Sequence, residues 1–291
     1  MTIDHTYQEF AEGIKKPIRE IKTPIRFMDD TQLHVGEIYT NLVGEQAMII
    51  EYNGKGEYYI QFQDQYGYIY SVGISAIKHG WFKNPYRRDV NGGYFGVGDF
   101  KAERKSKTYR IWIDMMRRVL LGDLSKQGEY TKTSKGALSY ENVSVSEEWK
   151  CYQNFARWFL GYMYPLNKEV FYELDKDALQ WGCINKVYGP YTACMLPHEI
   201  NQSLIGYNRF QRELPRGVRQ SSAHRYLASI RKYGIQESEC LGYFDDPMVA
   251  FEVYKRAKED YIKELANKYW NIGALYPEVY NALMNIQIEP F

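Results

Sequence analysis

The sequence predicts an α+β chain built from several small modules, and three observations predict it. Between Leu33 and Lys78, short β-branched or aromatic runs are separated by glycine-bearing turn signals, the pattern of successive short strands. At Arg225 to Arg231, Tyr226, Ala228 and Ile230 alternate with Arg225, Ser229 and Arg231, the period of a half-buried strand with one apolar and one basic face. Asp246 then precedes Pro247 and an apolar recurrence of about 3.6 residues, which reads as a capped amphipathic helix.

In chain order, residues 1–30 read as an N-terminal arm, because Lys15-Lys16-Pro17 and Thr23-Pro24 interrupt any helix begun at Tyr7. Residues 31–89 carry the strands Gly36–Tyr39, Ala47–Tyr52, Tyr58–Phe62 and Tyr68–Val72, with turns at Asn53-Gly54-Lys55-Gly56 and Asp64-Gln65-Tyr66-Gly67. Four or five strands so spaced predict a small SH3-like β-barrel. Residues 90–205 form a central α/β segment. It opens on the glycine-rich Asn91–Gly98, a hinge or tight turn rather than a phosphate loop, because no Lys-Ser/Thr follows. A helix is predicted over Thr108–Leu121, a polar loop over Gly122–Tyr140, and a second helix capped by Ser146 with the aromatic stripe Trp149, Tyr152, Phe155, Trp158 and Phe159 as core. Residues 206–270 hold the basic strand and the capped helix. Residues 271–291 form a tail whose Tyr276 and Tyr280, with Trp270 just ahead, demand a surface on this chain or on another copy.

Composition narrows the function. With 45% hydrophobic and 25% charged residues, the 291-residue chain is expected to be globular, neither disordered nor fibrous. No apolar run is long enough to span a bilayer, and Met1–Ile14 carries Asp4, Glu9 and Glu12, which a secretory signal excludes. The expected location is therefore the cytoplasm, with no membrane partner. The net charge of +1 is small for a protein whose main work is gripping duplex DNA. The basic excess is local: Arg209, Arg212, Arg216, Arg219, Arg225, Arg231 and Lys232 face only Glu213 in the same span. The 28 tyrosines suit interfaces, though a coding bias produces the same count. Cys151, Cys183, Cys194 and Cys240 show no Cys-x-x-Cys pair and are expected as buried small hydrophobes, with a zinc site from Cys183, Cys194 and His198 with Cys151 or Cys240 as the alternative.

Two stretches resemble known families. Arg216-Gly217-Val218-Arg219, the Arg225–Arg231 strand and Leu241-Gly242-Tyr243-Phe244-Asp245 resemble the AP2-type DNA-binding domain, a three-stranded sheet backed by one helix. The resemblance implies that Arg216, Arg219, Arg225 and Arg231 face a DNA groove. Leu174-Asp175-Lys176-Asp177, Asn185-Lys186-Val187-Tyr188 and Cys194–Asn201 resemble a degenerate HNH, or ββα-metal, nuclease motif. That motif needs a water-activating histidine where this chain has Lys176, and a protonated amine is a poor base at neutral pH. The resemblance leaves Asp175, Asp177, Asn185, His198 and Asn201 as a possible remnant divalent-metal site, with no other cofactor expected. No nucleophile elbow and no His-Glu-x-x-His motif is present.

Together these features resemble bacteriophage proteins of the homing-endonuclease-related lineage. The resemblance implies two functions. In the first, a phage protein without its catalytic base works by binding, as a counter-defence inhibitor that occludes a host anti-phage nuclease complex of the Gabija kind. It would act as a homo-oligomer, since a symmetric target suits a symmetric binder. In the second, it is a DNA-binding protein or weak nicking endonuclease that takes double-stranded DNA on the basic strand face.

Overall fold

A computed structural model describes residues 33–88, 90–126, 140–204, 213–222 and 225–291. The arm at 1–30, the part of the predicted loop at 127–139, and Arg209, Arg212 and His224 lie outside the described residues. The chain divides into two compact units, residues 1–88 with 94–96, and residues 89–93 with 97–291.

In the first unit, β1 (Ile38–Thr40), β2 (Gln46–Tyr52), β3 (Glu57–Phe62) and β4 (Ile69–Gly73) form an antiparallel meander in chain order. The turn chemistry is local. Asn53 Oδ1 accepts from the backbone N–H of Lys55 and Glu57, and Asp64 Oδ1 accepts from those of Tyr66 and Gly67. Ala47, Ile49, Tyr58, Ile60, Phe62 and Val72 pack with Ile77 of the short helix α1 (Ile74–Lys78) and with Phe82. The expected barrel is corrected here. Among the described residues β4 pairs only with β3, so the sheet stays open. The three-residue β1 offers little edge for β4 to close upon, and the Trp81–Tyr86 stretch forms no strand.

In the second unit, α2 (Lys107–Lys126) runs one turn beyond its predicted end, and buries Trp112, Met115 and Met116. The Trp112 indole N–H donates to the Trp149 carbonyl at 2.8 Å and its ring meets Tyr152 edge-on. Strand β5 (Val143–Val145) leads to α3 (Glu147–Lys150), capped by the Ser146 hydroxyl accepting from Trp149 N–H as its sequence predicts, and then to α4 (Tyr152–Met163). Trp149, Phe155 and Phe159 are core.

Strand β6 (Tyr172–Asp175) pairs antiparallel with β8 (Cys194–Pro197), which runs directly into α5 (His198–Leu204). Between them a 3₁₀ turn at Ala178–Gln180 precedes β7 (Lys186–Tyr188), paired in parallel with β5. The 174–201 segment thus begins with a strand and ends in a helix as predicted, but Lys186–Tyr188, expected as part of an asparagine-bearing loop, forms a strand and a third strand leads into the helix. Strands β9 (Val218–Ser222), β10 (Arg225–Ile230) and β11 (Glu239–Phe244) make a second antiparallel sheet with β10 central. It is backed by α6 (Pro247–Asn271), whose Asp246 cap accepts from the N–H groups of Met248 and Val249. Ala250, Ile262 and Leu265 are buried as their spacing predicts, whereas Val249 is exposed.

One core joins these pieces. Cys194, Leu196 and Ile200 pack in the same cluster as Ile230, Phe251, Ile262 and Leu265, and as Val279 and Leu283 of α7 (Pro277–Met284). The tail therefore packs back on its own chain. The Tyr276 hydroxyl donates to the Tyr162 carbonyl at 2.9 Å, Tyr280 donates to Asn267 Oδ1 at 2.8 Å, and Trp270 lies 4.9 Å from the Tyr280 ring. Of these three, Trp270 stays largely exposed.

Candidate functional site

The 172–204 segment separates its candidate residues into two groups. At the end of β6, Asp175 is buried, and its Oδ1 accepts from the backbone N–H of Asp177 (2.9 Å) and Ala178 (2.8 Å). Burial, with Asp177 close by, pushes this carboxyl up to about 6 despite those bonds. Asp177 is only partly buried; burial would raise its carboxyl, but Lys176 and Lys186 outweigh that and hold it below the usual range. Lys176 Nζ donates to Asp177 Oδ2 at 3.0 Å and stands 4.9 Å over the Tyr140 ring. Lys186 Nζ donates to Asp177 Oδ1. The place where the resemblance puts a base is thus filled by an ammonium locked in an ion-paired, largely buried network.

The second group gathers on Glu173, which the sequence does not single out. Asn201 Nδ2 donates to Glu173 Oε2. His198 Nδ1 lies 3.1 Å from the same oxygen, near enough for an ion pair when protonated, but not aligned for a hydrogen bond. The imidazole sits between the rings of Phe171 and Tyr233. Asn185 is exposed ahead of β7. Among the described residues, no three His, Cys, Asp or Glu side chains come together to hold a metal. Cys151 and Cys194 are buried and Cys183 and Cys240 exposed, all four as free thiols, so the expectation of uniformly buried cysteines is corrected. The two exposed ones lie in a polar loop and on an outer strand, where neither has a core to enter.

The basic sheet is also redistributed. Strand register sets Arg219 and Tyr243 opposite Leu227 on either side, so these three share one face of the sheet. Arg225, two residues before Leu227, extends that face. Its Nη2 donates to the Tyr243 carbonyl at 3.2 Å, and its guanidinium lies 5.9 Å from the Tyr243 ring. Asp245 stands 3.8 Å from Arg225 Nε as a solvent-exposed pair. Arg219 and Arg225 are exposed. Arg216 is not: it is 7% exposed just before β9, and its backbone N–H donates to the Pro290 carbonyl. Arg231 falls beyond the end of β10, where its Nε approaches the Ile235 carbonyl at 3.5 Å. Two of the four predicted arginines therefore share this face, exposed around a Leu227 that is itself only 5% exposed.

Sequence reasoning missed Glu173, Lys186 and Gln180, and also Glu199, whose carboxylate accepts from Lys268 Nζ and from the Tyr269 hydroxyl at 2.8 Å. Their partners lie across loops or on other elements, where no periodicity signals them. Comparison with protein-family models, with curated proteins and with solved structures finds no match for this chain. No helix among the described residues is long and apolar enough to cross a membrane.

Proposed function

We propose that the chain is a non-catalytic protein that binds double-stranded DNA on the open face of the β9–β10–β11 sheet. The observation that carries this reading is the exposed row of Arg219, Arg225 and Tyr243 on a three-stranded sheet whose other face is covered by α6. Exposed guanidinium groups on a sheet face are the kind of donor that takes phosphates and base edges in a groove. Lys176 in the Asp177 ion pair supports binding without cleavage, because an ammonium held by a carboxylate cannot take a proton from water. Asp177 itself is engaged by two lysines rather than open to a metal.

Fluorescence anisotropy with mixed-sequence duplex tests this. Affinity should fall steeply with salt. The Arg219→Ala/Arg225→Ala pair should weaken binding on the order of tenfold or more, and lower the salt slope by about 2. Undetectable binding at low salt, or a double variant indistinguishable from the parent chain, removes the reading. Metal-dependent scission of the same duplex removes its non-catalytic part.

A second reading, a counter-defence inhibitor that covers a host anti-phage nuclease complex as a homo-oligomer, is favoured by a different observation. Tyr164, Phe171 and Tyr191 are exposed large aromatics on a chain of net charge +1, a surface suited to protein contact more than to phosphate. Pull-down from lysate of a defence-bearing host should then recover a stoichiometric nuclease complex. Recovery of nucleic acid alone counts against it.

A further inference from the structure

Beside the same sheet, between the turn that follows β10 and the helices α5 and α6, lies a cleft of about 600 Å³ that neither reading uses. It is bounded by Gly217 and Ser229 of the sheet, by the turn that follows β10, by Gln202 and Ser203 of α5, and by Tyr254 and Lys258 of α6. Its volume is in the range of small-molecule sites. Its lining is one-sided in charge: Arg231, Lys232 and Lys258 contribute to it and no Asp or Glu does. The nearby carboxylates Glu239, Asp260 and Glu264 line a separate, smaller hollow.

Lys258 is the unusual member. It is 6% exposed, and among the described residues its ammonium has no carboxylate partner, only the Tyr261 ring at 5.7 Å. Lys232 approaches that same ring at 5.8 Å, and is itself paired with Glu239 at 3.3 Å. A buried ammonium without a counter-ion is costly, because burial removes hydration that nothing restores. Burial alone pushes this amine down to about 8. An anion seated in the cleft supplies the missing charge.

We propose that this cleft binds a phosphorylated small molecule of about mononucleotide size, with Lys258 as the buried counter-charge to the phosphate and Arg231 at the mouth. The neutral lining fits the remainder of such a ligand: Gln202 offers hydrogen bonds, and the Tyr254 side chain offers an apolar wall. The proposal does not rest on the DNA reading, since none of Arg219, Arg225 and Tyr243 lines the cleft.

Calorimetric titration of the full chain with AMP and with inorganic pyrophosphate tests it. Both should bind, AMP the more tightly if the neutral lining is used. Lys258→Met, which keeps most of the unbranched stem and removes the ammonium, should fold and bind at least about tenfold more weakly. Arg231→Gln, an exposed position that leaves the core intact, should weaken binding severalfold and covers the case of a Met variant that does not fold. Near pH 8 Lys258 is about half protonated, and the groups facing it are Arg231, Lys232, Tyr233, Tyr254 and Tyr261, none of which is a carboxylate. Phosphate binding at that pH should therefore draw protons from the buffer, read as a dependence of the observed heat on buffer ionisation enthalpy. Lys258→Met should abolish this uptake. Absence of binding to both probes overturns the proposal, as does equal binding by a folded Lys258→Met. Duplex DNA binding should be unchanged in Lys258→Met, and its parallel loss would assign the lysine to the DNA surface instead.

Discussion

Gly217→Ala is expected to be among the most damaging single-methyl additions to the second unit, costing about 2 to 5 kcal/mol. Two effects combine. Gly217 has φ +70°, a backbone region that alanine occupies at a cost, and a Cβ there would lie 2.0 Å from Cδ2 and 2.1 Å from Cγ of Tyr254. These atoms belong to the root of the ring, so the clash cannot be relieved at a flexible tip; the Tyr254 ring or the start of β9 must move. The Gly217 carbonyl also accepts from Ser229 N–H at 2.9 Å, so displacement of this residue loosens the β9–β10 pairing. For a unit of this size the melting temperature should drop by roughly 5 to 15 °C. Gly234→Ala is the control. Its φ of +76° imposes a similar backbone cost, but nothing lies within 4 Å of the added methyl, so it should cost only about 1 kcal/mol. Thermal melts of the two variants decide the matter. Equal melting temperatures would show that Tyr254 does not pack on Gly217 as described.

Gln180→Ala should cost about 2 to 4 kcal/mol although it removes no large apolar surface. The Gln180 amide nitrogen donates to the carbonyls of Lys176 (2.9 Å), Val187 (3.0 Å) and Thr192 (2.9 Å), and its oxygen accepts from Val187 N–H at 2.9 Å. Two amide hydrogens serve three carbonyls, so one is shared. The side chain is 9% exposed, and truncation leaves those groups short of partners in a place water reaches poorly. Gln180→Glu should be worse than Ala, because a carboxylate presents an oxygen where three carbonyl oxygens converge. Urea unfolding gives the free energies, and amide exchange at Val187 should accelerate in both variants. Slow exchange at Val187 in Gln180→Ala would refute the clamp.

These two residues differ in how legible they were. The Arg216-Gly217-Val218-Arg219 run marks the start of a strand, and the four-residue order already suggests a turn at the glycine. What it does not show is that Tyr254 fills the space a side chain would need. Gln180 carries no signal, because its partners are backbone carbonyls whose positions depend on how the 176–192 loop closes. The five proposed metal-site residues look equivalent in the sequence. In space, Asp175 is spent on two backbone N–H groups and Asp177 on two lysines, while His198 and Asn201 turn to Glu173. Lys258 reads as an ordinary polar position on an amphipathic helix, since the long stem of a lysine suits either surface or core.

What the amino-acid order determines by itself here is the local architecture: the four strands of the first unit, the Asn53 and Asp64 turns, and the Ser146 and Asp246 caps. Each depends on interactions within a few residues, so composition and spacing suffice. Tertiary structure alone decides that the first sheet stays open, that the tail covers its own core, that Arg216 is buried while Arg219 and Arg225 are not, and that Lys258 faces a cleft without a counter-ion. Those outcomes are set by burial and charge pairing between segments far apart in the chain, and a residue's desolvation is known only once its neighbours are in place.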